Sequence, residues 1–160
     1  MRIIAIPQHE CSELLKRVSV GRLACSLGNQ PYVVPVRFSY EPDCIYIFST
    51  VGKKIKWMRQ NPKVCLQADE IGNSSNWLSV IVTGTYLELS VPQYHTAQLE
   101  HARKQLAQCS EWWRVPLART GDRSLVSSIE TVFFRIDITS MSGLRAMYEA
   151  EETAQTVGGL

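Results

Sequence analysis

Along most of this chain apolar and polar residues alternate with a period of two, the pattern of strands with one buried face. Val18 to Leu27, Tyr32 to Tyr40, Cys44 to Phe48, Val64 to Ala68, Trp77 to Leu89 and Thr131 to Thr139 are the segments predicted as strands. In the last of these, Val132, Phe134, Ile136 and Ile138 alternate with Phe133, Arg135 and Asp137. The period lengthens to that of a helix in three places. Residues 8–17 put Cys11, Leu14 and Leu15 on one side; residues 52–60 put Ile55 and Met58 three apart; residues 92–109 carry Leu99, Ala102, Leu106 and Cys109 as one apolar stripe. Turn chemistry separates the segments: Gly28-Asn29-Gln30-Pro31, Glu41-Pro42-Asp43, and the polar loop from Ile71 to Asn76.

Six strands joined by hairpin turns, with a single long helix, do not fit a βαβ repeat. They predict a mainly β domain: a six-stranded antiparallel barrel with peripheral helices. One domain over residues 1–148 is expected, followed by a polar tail at 149–160. Two residues interrupt the strand pattern. Pro35 removes a donor from the second strand, which places it at an edge, a bulge or a ligand-facing position. Gly84 marks a bend or a close approach in the fifth.

Composition narrows the class. The 160 residues suffice for one domain with a proper core, and 45% apolar with 20% charged residues is ordinary for a globular protein. A net charge of +2 is too small to argue for nucleic acid. No apolar run is long enough for a transmembrane helix, and MRIIAIPQHECSELL lacks the long apolar stretch of a signal peptide, so a cytoplasmic location without a membrane partner is expected. The five cysteines (11, 25, 44, 65 and 109) have no CxxC spacing and read as reduced, mostly buried thiols. His9, His95 and His101 form no metal-binding motif, and no intrinsic metal site is expected.

The stretch from Ile45 to Asp69, IYIFSTVGKKIKWMRQNPKVCLQAD, carries the candidate chemistry. A strand ends in Ser49-Thr50, Gly52 follows, and Lys53 and Lys54 open an amphipathic helix that stops at Asn61-Pro62. Two hydroxyls and two lysines at a helix start, where N–H groups lack partners and the dipole is positive, suit a phosphate. The same residues also fit a solvated basic face with hydroxyl caps. Arg37 fits a surface ion pair, and Trp77 fits core or subunit interface. Trp112-Trp113 fit either a plug beneath a loop or an aromatic platform.

Taken in order, VGRLACS, PYVVPVRFSY, IYIFSTVGKKIKWMRQNPKVCLQAD, WLSVIVTGTYLEL and FFRIDIT resemble the flavin-binding split-barrel family related to pyridoxamine 5′-phosphate oxidase, in particular the subgroup containing nitroimidazole-resistance proteins. The resemblance spans residues 8–148. It implies a homodimer holding two FMN molecules at its subunit interface. On this reading Val34, Pro35, Val36 and Arg37 line the flavin ring with main-chain groups, and Ser49, Thr50, Lys53 and Lys54 hold the FMN phosphate. Trp77 and Ser79 reach the flavin of the neighbouring subunit. Catalysis then belongs to the flavin, with no separate protein nucleophile or acid–base pair.

The C-terminal part departs from the vitamin B6 oxidases. After FFRIDIT the chain runs SMSGLRAMYEAEE, without the arginine- and histidine-containing segment that grips the substrate phosphate in those enzymes. The nitroimidazole-related subgroup commonly carries threonine-glycine-arginine here, whereas this chain has Ser142-Gly143-Leu144-Arg145. The implied activity is therefore an FMN-dependent oxidoreductase acting on a small nitro-aromatic or quinone-like substrate, not a pyridoxamine phosphate oxidase. The competing expectations are a flavin-binding or storage protein without turnover, and a haem- or deazaflavin-binding relative.

Overall fold

A computed structural model describes residues 1–74, 76–89, 96–108 and 130–147. Seven strands and three helices follow in the order β1 (Arg2–Ile6), α1 (Gln8–Arg17), β2 (Val20–Leu27), β3 (Gln30–Glu41), β4 (Cys44–Thr50), α2 (Lys53–Gln60), β5 (Lys63–Asn73), β6 (Asn76–Glu88), α3 (Thr96–Gln108) and β7 (Thr131–Met147). All pairings are antiparallel. The strand order β7-β4-β3-β2-β5-β6 closes on itself through β6–β7, giving the expected six-stranded ring.

The seventh strand, β1, adds to the expectation. The run Arg2–Ile6 is too short for its type to be read from periodicity, and it becomes a strand because the second half of β7 offers it an edge, from Arg2↔Met147 to Ile6↔Gly143. β7 itself runs to Met147 rather than stopping at Thr139. One edge pairs first with β4 and then with β1, while the other follows β6 almost throughout, so Thr139, Ser140 and Ser142 remain in the strand despite their polarity. The loop expected at 71–76 is likewise shorter, since β5 reaches Asn73 and β6 starts at Asn76.

The turns behave as their residues require. Gly28 and Asn29 have φ of 55° and 63°, the left-handed pair of a two-residue hairpin, and Asp43 has φ of 72°. Leu23, Phe38, Ile45, Ile47, Leu66, Val80, Val82, Phe134 and Ile136 fill the ring from every strand. Leu14 and Leu15 of α1 and Ile55 and Met58 of α2 complete the core as the periodicity predicted. A side chain at Gly143 would place Cβ 2.6 Å from Ile6 and 2.8 Å from Cys11, so this glycine leaves room for the Ile6 and Cys11 side chains to pack over β7. Ala102 and Leu106 of α3 pack on Tyr46 and Leu89, with Leu99 at the margin; Cys109 lies outside the described residues, as do Trp112, Trp113, His95 and the tail 149–160.

A clamp ties α2 to β6. Arg59 donates through Nε and Nη2 to the Glu88 carboxylate at 2.9 and 2.8 Å, and the Tyr86 hydroxyl donates to the same carboxylate at 2.7 Å. Arg59 first, and then Tyr86, hold the Glu88 pKa below its ordinary 4.5, against the opposing effect of burial. A depressed carboxylate stabilises the fold above its unfolded pKa and loses that contribution as pH falls through the folded value. Because Arg59 is partly exposed, the contribution is about 1 kcal/mol. Unfolding of Glu88→Gln between pH 7 and pH 3 is expected to show a stability deficit of that size at pH 7 that shrinks at pH 3; a deficit independent of pH would assign the loss to packing.

Candidate functional site

Among the described residues the β3–β4 ladder leaves a gap in the ring, and eight of the ten implied cofactor residues, all but Trp77 and Ser79, lie on the segments that border it. β3 and β4 pair only from Phe38↔Ile47 to Glu41↔Cys44. Continued one turn of the ladder further, Val36 would face Ser49 and Pro35 would face Thr50. Those pairs are absent, while on its opposite edge β4 goes on pairing with β7 through Ser49↔Val132 and Thr50↔Thr131, and the Val51 N–H donates to the Glu130 carbonyl at 2.9 Å. α2 follows immediately. Among the described residues, no strand pairs with Gln30–Arg37 on the β4 side.

The ladder on the other side determines which main-chain groups face the gap. The Phe38 N–H donates to the Ser19 carbonyl at 3.0 Å, and the register continues without a shift from Val20↔Arg37 to Leu27↔Gln30. In an antiparallel ladder, residues that bond to the partner strand alternate with residues that point away from it. Tyr32, Val34 and Val36 therefore turn their main-chain groups to β2. The carbonyls of Pro31 and Pro35, and both groups of Val33 and Arg37, face the gap. Both prolines fall where no N–H is needed by β2, so neither weakens the sheet. Of the four residues expected to line a ring, Pro35 and Arg37 present polar main-chain groups to the gap, while Val34 and Val36 do not. Val33, which the sequence reading omitted, does.

Across the gap lie the lysines. The Lys53 ammonium sits 4.7 Å from the Tyr32 ring centroid and 4.5 Å from that of Trp57, within cation–π range of both. Lys54 is half-buried, and burial lowers its pKa. Among the described residues, no carboxylate lies within ion-pair distance of either lysine. The first intrahelical bond of α2 runs from the Lys56 N–H to the Gly52 carbonyl, leaving the N–H groups of Lys53, Lys54 and Ile55 ahead of it. No side chain caps this helix. Ser49 is buried and donates to the Thr50 carbonyl at 3.1 Å, whereas Thr50 is exposed. Gly52 has extended backbone, and a Cβ there would meet nothing within 4 Å, so the space above the helix start is open.

Trp77 and Ser79 do not join this group. They lie on the outer face of the ring on β6, separated from β3 by β2 and β5, roughly 14 Å across the sheet. The Ser79 hydroxyl accepts from Gln67 Nε2 at 3.0 Å, and Gln67 and Asp69 accept from Arg22, whose register partner is Pro35. The same outer face exposes Val20, Val33, Ile81 and Leu144, with Val33 at 57%. Tyr32 and Trp57 were the other residues missed by sequence reasoning. Trp57 stands four residues after Lys53, a spacing that brings two side chains together on a helix and could have been noticed. Arg37 makes no ion pair among the described residues.

A family model described as pyridoxamine 5′-phosphate oxidase matches residues 7–145, which include the whole gap, the lysine pair and the ring that frames them. The chain belongs to the pyridoxamine 5′-phosphate oxidase family. It is similar to an uncharacterized protein of Rhizobium meliloti (strain 1021), 33% identical over 146 residues and covering 91% of this chain and 97% of that one. It is also similar to the crystal structure of a FAD-binding protein from Mesorhizobium loti, with 41% identity, 91% and 99% coverage and a TM-score of 0.74. A candidate 5-nitroimidazole antibiotic resistance protein from Bacteroides thetaiotaomicron superposes with a TM-score of 0.65 over 90% of this chain and 87% of its own, at 18% identity, a likeness of fold alone.

The rest of the pyridoxamine 5′-phosphate oxidase-like fold carries no competing chemistry among the described residues. No group of three or more histidine, cysteine, aspartate or glutamate side chains is placed to hold a metal, and no helix is long and apolar enough to cross a membrane. His101 is engaged by Glu41 at 2.8 Å and stacks edge-on against Tyr46. Cys11, Cys25, Cys44 and Cys65 are free thiols, all with pKa values raised by burial.

Proposed function

We propose that this chain is a flavin-dependent oxidoreductase whose FMN moiety lies in the gap between β3 and β4. The supporting observation is the pairing of two unlike features across that gap, both as seen among the described residues: an unpaired strand edge carrying both prolines, and two lysines without carboxylate partners at an uncapped helix start. A planar ring with polar edge atoms suits the first. A phosphate with nearly two negative charges suits the second, because charge-assisted bonds to ammonium and helix N–H groups replace its lost hydration. The partly desolvated Lys54 gains most, since the bound anion offsets the burial that lowers its pKa.

A bound flavin supplies hydride or electron transfer itself. This chain's residues bind and orient it. Val33, Pro35 and Arg37 present main-chain groups to the ring; Ser49, Thr50, Lys53 and Lys54 surround the phosphate. The protein acts as a homodimer in which the apolar outer face around Val33, Val20, Ile81 and Leu144 is covered, and Trp77 and Ser79 of each subunit approach the other's flavin. The substrate is a small nitro-aromatic or quinone-like compound stacked on the open ring face. Pyridoxamine phosphate oxidation is set aside, because SMSGLRAMYEAEE, the stretch after FFRIDIT, is without the arginine- and histidine-containing segment that such a substrate needs.

Mixing purified protein with FMN is expected to shift the flavin absorbance bands and yield a stoichiometric complex. Unshifted bands, together with no retention of flavin on gel filtration, would refute the reading. Steady oxidation of a reduced nicotinamide in the presence of a quinone separates an enzyme from a flavin store.

A further inference from the structure

A concavity of about 510 Å³ opens between the C-terminal end of α1 and the β5–β6 hairpin. Arg17, Glu70, Asn76, Trp77 and Arg145 are among its walls. None of them lies on the segments that border the gap between β3 and β4, and a flavin held in that gap leaves both arginines unused. Two ion pairs build the rim. Arg17 donates through Nε and Nη2 to Glu70 at 3.1 and 2.8 Å, and Arg145 donates through Nη2 to Glu10. Both tie α1 to the ring, the first to β5 and the second to β7.

These pairs fix the guanidiniums without saturating them. A guanidinium carries five N–H donors. Arg17 Nη1 and the Nε and Nη1 of Arg145 bond nothing else among the described residues. Both side chains remain accessible, at 49% and 34%. An arginine already held in place loses little side-chain freedom when a ligand arrives. Its planar fork matches a carboxylate, which two parallel N–H groups can grip together. The charges of Arg17, Arg145, Glu10 and Glu70 sum to zero, so one added negative charge is accommodated better than the two of a phosphate.

The remaining walls suit a flat ring. Trp77 is half-buried, and its indole offers an aromatic surface. Asn76 adds an amide able to donate and accept. Its side chain lies over Gly72, where an added Cβ would meet the amide nitrogen at 3.5 Å. Trp77 also joins the concavity to the chemistry. Resting on the reading that Trp77 of each subunit approaches the other's flavin, a compound on the open face of that flavin comes within reach of the concavity, and a carboxylate on it can enter between the two arginines.

We propose that this concavity is the carboxylate subsite of the substrate pocket, so that the substrate is an aromatic or quinone-like carboxylate rather than a neutral ring. Titration of the FMN-loaded full chain with benzoate and with benzamide, its neutral isostere, tests this directly. Benzoate is expected to bind at least about tenfold tighter than benzamide, the effect of one charge-assisted bond, and to shift the flavin absorbance bands. Arg17→Gln combined with Arg145→Gln is expected to bring benzoate down to the level of benzamide while leaving FMN affinity unchanged. Equal binding of the two probes by the unaltered protein overturns the proposal and leaves the flavin site in the gap standing; that comparison decides even if the double variant does not fold. A preference for benzoate that survives in the folded double variant places the carboxylate elsewhere and overturns the proposal too. Benzoate binding that leaves the flavin bands unmoved separates the concavity from the substrate and overturns it as well. If the chain retains no FMN, the site in the gap falls, and this inference falls with it.

Discussion

Replacing Lys53 and Lys54 together by alanine is expected to weaken FMN binding by at least about tenfold while leaving riboflavin binding unchanged. Each lysine offers a charge-assisted bond to phosphate, and such bonds contribute roughly 1.5–3 kcal/mol each, reduced here where water screens the partner. The two are not equivalent. Lys53 is exposed and already favourably placed between the Tyr32 and Trp57 rings. Lys54 is half-buried with its pKa lowered by desolvation, so its charge is a cost to the folded protein until an anion arrives. Lys54→Ala alone should therefore account for the larger share of the lost affinity, and the flavin-free protein should be as stable as before or slightly more so. The comparison with riboflavin, which has the ring and no phosphate, isolates the anion contact. A parallel loss of riboflavin affinity would mean that the lysines act through the shape of the gap rather than through their charge.

Gly84→Ala is expected to destabilise the protein by about 3 kcal/mol or more, a loss typical of forced overpacking against atoms that cannot retreat. A Cβ at this position would lie 2.4 Å from the Asp137 carbonyl oxygen and 2.5 Å from Ile136 Cγ2. The first is main chain of β7. Gly84 sits at the register shift of the β6–β7 ladder, the seam that closes the ring. Relieving the clash requires the two strands to part at that seam. For a chain of this size the melting temperature should fall by about 6–12 °C. Gly52→Ala is the control, because its added methyl meets nothing within 4 Å; its cost should stay within about 1 kcal/mol. If Gly84→Ala melted like Gly52→Ala, the seam would be looser than the packing indicates.

Several features are legible in the amino-acid sequence alone. The strands showed because one face of each is buried, and burial of alternate side chains imposes a period of two. Gly84 was recognisable as a close approach because glycine inside an otherwise strong strand has few other reasons to be there. The lysine pair at a helix start was legible because its neighbours in space are its neighbours in sequence. Tyr32 beside Lys53 was not, since twenty-one residues separate them and only the packing of α2 on the β2–β3 hairpin brings them together. β1 escaped notice for a related reason: five residues carry too little pattern, and its strand character is conferred by the free edge of β7.

By itself the amino-acid sequence determined the local facts: which of the longer segments are strands or helices, where turns need left-handed residues, and that two lysines open α2. These follow from side-chain sterics, periodicity and charge, all of which act over a few residues. Tertiary structure decided the rest. It closed the ring through β6 and β7, ended the β3–β4 ladder at Phe38 and Ile47, and turned the main-chain groups of Val33, Pro35 and Arg37, rather than those of Val34 and Val36, into the gap. It also set Trp77 and Ser79 apart on the outer face. Such choices depend on register, and one residue of slip exchanges the two sides of a strand. The proline at position 35 is visible in the sequence, but that its nitrogen faces an unpaired edge is a property of the folded sheet.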